Sequence, residues 1–123
     1  MVKKHIAILG STGSIGTQAL EVIDQHADLF QVEVLTARDS ADLLISQALR
    51  YKPNAVVIGS DEQYNKVFDA LDPHDIKVFA GDEAISQVVE MESIDLVLMA
   101  LVGFAGLSPT ISAIRAGKQI ALA

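Results

Sequence analysis

The chain alternates short apolar runs with segments in which apolar residues recur at helical spacing. The apolar runs predict strands at residues 5–9, 32–37, 55–58, 77–80, 96–101 and 119–122. The segments between them predict helices at residues 14–26, 40–51, 61–71, 81–91 and 108–116. Strict alternation with short connections predicts an α/β protein, in which a doubly wound parallel sheet lies in a three-layer αβα arrangement. We expect residues 1–123 to form a single domain.

The second predicted helix shows how the pattern assigns a buried side. Leu43, Leu44 and Ala48 repeat at helical spacing and are predicted to face the sheet, which leaves Gln47 facing outward. Ser40 precedes this segment and is suited to cap its first N–H groups. The pattern therefore predicts a helix with one apolar side and a defined start.

Composition agrees with a sheet that is covered on both faces, because 50% of the 123 residues are hydrophobic and 5% are aromatic. The chain has no cysteine, which favours a cytoplasmic protein, and no apolar stretch approaches the roughly 20 residues of a membrane span. The net charge is −7, and residues 61–95 hold ten acidic and two basic side chains. This acidity argues against a nucleic-acid partner and leaves the glycine-rich end near neutral, where an anion can approach.

A glycine-rich turn follows the first predicted strand, where residues 10–16 read GSTGSIG. At a turn from strand to helix, main-chain N–H groups and the positive end of the helix dipole favour an anion. Gly10 permits the tight turn, Gly13 lets a pyrophosphate approach the main chain, and Gly16 lets the helix pack closely on the sheet. Thr12 and Ser14 add hydroxyl donors. With a second strand following, this pattern predicts a Rossmann-like dinucleotide site, although similar turns also serve packing alone.

The end of the second predicted strand bears on the choice of dinucleotide. An acidic residue there holds the ribose 2′-hydroxyl of NAD, whereas arginine accommodates the 2′-phosphate of NADP. Here the segment reads TARDS, and Arg38 is its first charged residue. Arg38 favours NADP through charge-assisted hydrogen bonds, while a surface pair between Arg38 and Asp39 is the alternative.

A second glycine-containing loop follows the fifth predicted strand. Ala100, Leu101 and Val102 precede Gly103 and Gly106, and they can flank a ribose and a nicotinamide at the carboxyl edge of the sheet. An ordinary strand-to-helix loop with two permissive glycines fits the pattern equally well.

The sequence gives little support for a metal site or for a set of catalytic side chains. The three histidines, His5, His26 and His74, are far apart and are not grouped with acids, which argues against a metal site in these residues. Tyr51 and Tyr64 lack a lysine four residues later, unlike the catalytic pair of short-chain dehydrogenases. We predict no catalytic residue and no metal ligand within the chain.

Residues 8–20 (ILGSTGSIGTQAL) and 100–123 (ALVGFAGLSPTISAIRAGKQIALA) together resemble the N-terminal NADPH-binding domain of the 1-deoxy-D-xylulose 5-phosphate reductoisomerase family. The resemblance implies an NADPH-dependent oxidoreductase of the non-mevalonate isoprenoid pathway, which converts a sugar phosphate to 2-C-methyl-D-erythritol 4-phosphate with a divalent metal, Mg or Mn. It implies pyrophosphate contacts from Thr12, Gly13, Ser14 and Ile15, and 2′-phosphate contacts from Arg38, Asp39 and Ser40. Residues 100–103 are expected near the nicotinamide.

Members of this family continue beyond the last residue of this chain with a catalytic domain, which holds the metal ligands and the sugar-phosphate site, and with a helical C-terminal domain. We therefore expect the chain to be the cofactor half of the enzyme, inactive alone, and the full-length protein to be a homodimer without membrane or nucleic-acid partners. Another NADP-dependent oxidoreductase, such as an aspartate-semialdehyde dehydrogenase, and a non-catalytic dinucleotide-sensing module are the alternatives.

Overall fold

A computed structural model describes residues 2–101 and 103–122, and within them all six predicted strands form one parallel sheet. The strands are β1 (Lys4–Leu9), β2 (Phe30–Ala37), β3 (Ala55–Ile58), β4 (Lys77–Ala80), β5 (Leu96–Met99) and β6 (Gln119–Leu122). The helices are α1 (Ser14–Gln25), α2 (Ala41–Tyr51), α3 (Tyr64–Leu71), α4 (Asp82–Val88) and α5 (Leu107–Arg115). Short 3-10 turns span Asp61–Gln63, Asp72–His74 and Gly103–Gly106. The predicted fold class is confirmed.

The sheet has the strand order β4-β3-β2-β1-β5-β6. Strands β2 to β4 are therefore added on one side of β1, and β5 and β6 on the other, so the strand order reverses at β1. Residues of α1, α2 and α3 pack in one hydrophobic cluster on one face of the sheet. Residues of α4 and α5 pack in a second cluster on the other face. Right-handed crossovers before and after the reversal place their helices on opposite faces, which produces the three layers.

Burial along the strands explains why the apolar runs predicted them. Every residue of β3 is buried, as expected for an internal parallel strand that is covered on both faces. The edge strand β4 alternates instead, with Val78 buried and Lys77 and Phe79 exposed. A period of two is what a strand with one covered face produces.

The element boundaries differ from the predictions mainly at the ends. β5 stops at Met99 rather than at residue 101, because its pairing with β1 ends where Leu9 meets Met99 and Gly10 begins a turn. The helix predicted at 61–71 begins with the 3-10 turn before α3, and the one predicted at 81–91 is shortened to Asp82–Val88. Ends of helices fray and tighten, so boundaries are the least predictable part of an element.

In α2, the prediction for two side chains was wrong. Gln47 is 7% exposed and lies on the inner side with Leu44 and Ala48, whereas Leu43 is 42% exposed. The spacing from Leu44 to Gln47 and Ala48 is three and four residues, which places them on one side of a helix regardless of polarity. Ser40 is the N-cap residue, as predicted, but its side chain makes no capping hydrogen bond.

Hydrogen bonds from polar side chains connect neighbouring segments at the amino edge of the sheet. The Glu33 carboxylate is 1% exposed, lies 2.7 Å from His5 Nδ1 and accepts a hydrogen bond from the Asn54 amide. Lys118 Nζ donates to the carbonyls of Met91 and Ile94 at 2.6 and 2.7 Å. In the part of the chain that the structure describes, no helix is both long and apolar enough to cross a membrane.

Candidate functional site

The predicted cofactor residues gather at the carboxyl edge of the sheet, around the ends of three neighbouring strands. β1 lies between β2 and β5, and the loop after β1 begins α1 on one face, while the segment after β5 leads to α5 on the other. In open α/β sheets, the crevice at such a reversal of strand order is where ligands bind.

The glycine loop is fastened to β2 by its main chain. Gly10, with φ of +85°, donates its N–H to the carbonyl and to Oγ1 of Thr36, at 3.2 and 3.1 Å. The N–H of Ser11 donates to the same carbonyl at 2.8 Å. A positive φ of this size favours glycine, so the tight turn predicted for Gly10 is present and its direction is set by Thr36.

The other two glycines of the loop differ in what surrounds them. A Cβ on Gly16 would lie 2.1 Å from the Gly10 carbonyl oxygen and 2.7 Å from Ser11 Cα, so the start of α1 touches the loop where only glycine fits. Gly16 therefore permits close packing, but against the loop itself. A Cβ on Gly13 would meet nothing nearer than 3.7 Å, and its φ of −77° and ψ of 175° suit any residue. The fold alone gives no reason for glycine at position 13.

The N-terminus of α1 has the chemistry of an anion site. Gly13 is its N-cap residue and provides no side-chain hydrogen bond, and the first turn has no acidic residue. The first turns of α3 and α5 also lack acidic residues, whereas those of α2 and α4 contain Asp42 and the pair Asp82 and Glu83. The unpaired N–H groups at the start of a helix, together with its dipole, favour a negative group at such an end.

The glycine loop residues after Ser11 are accessible. Thr12 is partly exposed, while Gly13 and Ser14 are exposed and the apolar side chain of Ile15 is 47% exposed. The structure thus brings all four of these predicted residues to the open side of the loop.

Residues 38–40 lie directly after β2 and are exposed. The N–H of Ser60 donates to the Arg38 carbonyl at 2.8 Å, and Ala41 N–H donates to the Asp39 carbonyl at 2.8 Å. Within residues 2–101 and 103–122, Arg38 and Asp39 form no ion pair. Their main chain is therefore held by hydrogen bonds to residues on both sides.

The segment after β5 closes the third side of the crevice. Ala100 N–H donates to the Leu9 carbonyl at 2.9 Å, and a Cβ on Gly10 would lie 3.1 Å from the Ala100 oxygen and 3.2 Å from Leu101 Cδ2. Val102, which was predicted to flank the nicotinamide, lies outside the described residues. Gly103 begins the 3-10 turn that leads to α5.

A cavity of about 870 Å³ lies between the end of β2 and the helices α4 and α5, and among the residues that the structure describes its wall includes none of residues 10–16. This volume lies within the range of small-molecule sites. Arg38 and Leu101 lie in its wall, together with Asp82 and Glu83. The acidic segment therefore reaches the candidate site, whereas the charge pattern of the sequence suggested that the two were separate.

Behind the loop lies a polar pair that the sequence pattern missed. Ser11 Oγ donates to Gln47 Oε1 at 2.7 Å, and Gln47 Nε2 donates to the Ser11 carbonyl at 2.9 Å. The helical spacing of α2 contained the signal, because position 47 falls on the buried side. The polarity of Gln47 predicts that it faces solvent, and the structure contradicts this.

In the part of the chain that the structure describes, no three His, Cys, Asp or Glu side chains lie together as metal ligands would. The parallel sheet, its reversal of strand order and the glycine loop at that reversal define a Rossmann-type domain. The chain belongs to the 1-deoxy-D-xylulose 5-phosphate reductoisomerase family, whose model matches residues 6–123. This membership confirms the resemblance and excludes the other oxidoreductase families considered above.

The curated relatives include the reductoisomerase of Phocaeicola vulgatus, 57% identical over 99% of this chain and 32% of the relative. The reductoisomerase of Bacteroides fragilis is 58% identical over 98% of this chain and 31% of its own length. The chain therefore spans about a third of the length of the relatives it matches.

Solved structures of the family have the same fold. The Zymomonas mobilis reductoisomerase in complex with NADPH superposes with a TM-score of 0.93 at 35% identity, over 99% of this chain and 32% of that one. A reductoisomerase in complex with NADPH, fosmidomycin and magnesium superposes with a TM-score of 0.90 at 34% identity, over 95% of this chain and 29% of that one.

Proposed function

We propose that this chain is the NADPH-binding domain of a 1-deoxy-D-xylulose 5-phosphate reductoisomerase. The observation that carries the proposal is the loop at the start of α1. The fold does not require glycine at its middle position, Gly13, and the first turn of α1 beside it has no acidic residue. A phosphate that approaches the main chain accounts for both features.

The pyrophosphate would lie at the N-terminus of α1, against Thr12, Gly13, Ser14 and Ile15. Main-chain N–H groups and the hydroxyls of Thr12 and Ser14 supply donors to its oxygens. A side chain at position 13 would occupy the same space as the pyrophosphate, because the fold leaves that space open. The exposed side chain of Ile15 would be covered by the bound cofactor.

The 2′-phosphate of the adenosine would be held by Arg38, Asp39 and Ser40. A guanidinium donates two parallel hydrogen bonds to a phosphate, which distinguishes NADPH from NADH at this point. The Arg38 main chain is fixed by Ser60, so the guanidinium is presented from a defined position. Ser40 supplies a hydroxyl, and Asp39 contributes through its main chain, since a carboxylate repels phosphate.

Residues 100–103 would border the nicotinamide half. Leu101 lies beside Gly10, where an added Cβ would come within 3.2 Å of Leu101 Cδ2, and it also lines the cavity, so the nicotinamide half would extend past the end of β5. When bound, NADPH supplies the hydride that reduces the rearranged sugar phosphate. The apolar wall on the Leu101 side excludes water from that half of the cofactor.

We propose further that turnover of the sugar phosphate requires more than these 123 residues, because the relatives that carry the activity are about three times as long. In this proposal the divalent metal, Mg or Mn, binds to residues outside this chain. The full-length protein would be a cytoplasmic homodimer, and the net charge of −7 disfavours nucleic acid as a partner.

The test compares two arginine variants of equal charge. Arg38→Gln should weaken NADPH binding by roughly tenfold to a hundredfold and leave NADH binding unchanged, because only NADPH has the 2′-phosphate. Arg50→Gln is the control, since Arg50 pairs with Asp24 on the outer side of α2, away from the crevice. Equal effects of the two variants on NADPH affinity, measured by isothermal titration calorimetry, would refute the assignment of Arg38.

A further inference from the structure

The buried pair of Ser11 and Gln47 joins the glycine loop to the middle of α2. Ser11 is 0% exposed and Gln47 is 7% exposed, and two hydrogen bonds of 2.7 and 2.9 Å connect them. The two bonds fix the orientation of the Gln47 amide, because the reverse orientation would set its oxygen against the Ser11 carbonyl. Neither side chain is accessible enough to touch a bound ligand.

An apolar residue at position 47 would suit the packing of α2, whose other inward residues are Ala41, Leu44 and Ala48. Burying an amide is unfavourable unless its hydrogen bonds are made. Both hydrogen bonds that Gln47 makes go to Ser11, so the reason for glutamine here lies in the loop rather than in the core.

The contacts of Ser11 show which main-chain groups of the loop β2 and α2 bind. Its N–H donates to the Thr36 carbonyl at 2.8 Å, and its own carbonyl accepts from Gln47. Both polar groups of the Ser11 main chain are thus bound, one by β2 and the other by α2. The next residue, Thr12, is the first of those that face the crevice. The direction in which the loop leaves Ser11 therefore depends on Gln47.

We propose that Gln47 is a positioning residue of the cofactor site. By fixing the Ser11 carbonyl, it sets the direction of the N–H groups of residues 12–14, which then meet the pyrophosphate without further ordering. This inference rests on the proposed function for its ligand. It assigns to α2 a second role, because the same helix begins directly after residues 38–40.

The role has a signature that distinguishes it from that of Arg38, while the control variant and the exchange measurement below distinguish it from a general loss of stability. NADPH and NADH share the pyrophosphate and differ at the 2′-phosphate. Loss of the Gln47 contacts should therefore weaken both cofactors by the same factor and leave the NADPH to NADH ratio unchanged. Loss of Arg38 should change that ratio.

The experiment compares Gln47→Leu with Glu33→Gln in the full 123-residue chain. Glu33 is also a buried polar residue, 1% exposed and hydrogen-bonded, but it lies at the opposite edge of the sheet. Gln47→Leu should raise the dissociation constants of NADPH and NADH by about tenfold each, and Glu33→Gln should change neither. Without cofactor, amide hydrogen exchange at residues 12–14 should be faster in Gln47→Leu only.

Three results would overturn the proposal. One is a folded Gln47→Leu chain with unchanged affinities, and another is a loss of affinity that Glu33→Gln matches. If Gln47→Leu does not fold, Ser11→Ala replaces it. That variant keeps the bond from Gln47 to the Ser11 carbonyl and should weaken both cofactors by about threefold, so unchanged affinities there are the third contrary result.

Failure of the proposed function is recognised separately. If the unaltered chain binds neither cofactor, the proposed function fails, while the exchange measurement still decides whether Gln47 orders the loop. Faster exchange at residues 12–14 in Gln47→Leu, but not in Glu33→Gln, supports the positioning role. Equal exchange in the two variants contradicts it.

Discussion

Alanine substitutions at Gly16 and Gly13 should separate a glycine that the fold requires from one that the ligand requires. A Cβ at position 16 would lie 2.1 Å from the Gly10 oxygen, 2.7 Å from Ser11 Cα and 2.8 Å from Ser11 C. Favourable contacts lie at about 3.5 Å, so relief requires a shift on the order of 1 Å. All three atoms belong to the main chain, and no side-chain rotation can relieve the overlap.

The expected change in the free energy of unfolding of Gly16→Ala follows from two opposing effects. Overpacking of this kind costs about 1–3 kcal/mol, and alanine gains up to about 1 kcal/mol over glycine within a helix. We expect Gly16→Ala to lower the free energy of unfolding by about 1–2 kcal/mol, which corresponds to a fall in Tm of roughly 4–8 °C for a chain of this length. NADPH affinity should fall as well, because the shift displaces the loop.

Gly13→Ala is the matched control. Its Cβ would meet only the Gly10 oxygen, at 3.7 Å, and the φ of −77° is acceptable to alanine. Stability should stay within about 0.5 kcal/mol of the unaltered chain, while NADPH affinity should fall by about tenfold or more. Urea denaturation and calorimetric titration check the two quantities. Unchanged stability of Gly16→Ala, or unchanged NADPH affinity of Gly13→Ala, would refute the reasoning.

Three predictions concern stability alone. His5→Ala should lower the free energy of unfolding by about 1–3 kcal/mol in urea titration, because the buried Glu33 carboxylate loses a partner at 2.7 Å; no change would show that the pair contributes nothing. Lys118→Met should lower it by about 1 kcal/mol, because two carbonyls of the 91–94 turn lose their donor, and an unchanged urea midpoint would contradict this. Burial raises the pKa of Tyr51 above 10.0, so its contribution to stability is complete below pH 10 and is lost as the pH rises through the raised value. Tyr51→Phe should reduce that loss, and identical pH profiles would speak against it.

The parts of the fold that followed from the sequence are those with a strong local signal. β3 is short, apolar throughout and buried on both faces, so its run of Ala, Val, Val and Ile predicted it with the correct ends. The structure confirms the tight turn predicted for Gly10, and Gly16 does permit close packing, although against the loop rather than against the sheet. In these places local preference and tertiary environment agree.

The parts that did not follow depend on contacts between distant segments. Helical spacing places position 47 on the buried side of α2, but the hydrogen bonds that satisfy the Gln47 amide there come from Ser11, 36 residues away, and polarity alone suggested the opposite orientation. Asp82 and Glu83 reach the cavity wall because α4 begins directly after β4, at the carboxyl edge of the sheet where β2 also ends, which charge counting along the chain cannot show. The early end of β5 likewise depends on where its pairing with β1 stops, at Leu9.

Titration of the unaltered chain with NADPH and with NADH, at one ionic strength, tests the central claim most directly. The account predicts that one NADPH binds per chain and that it binds more tightly than NADH, because Arg38 meets the 2′-phosphate. A chain that binds neither cofactor, or that binds NADH as tightly as NADPH, would contradict it.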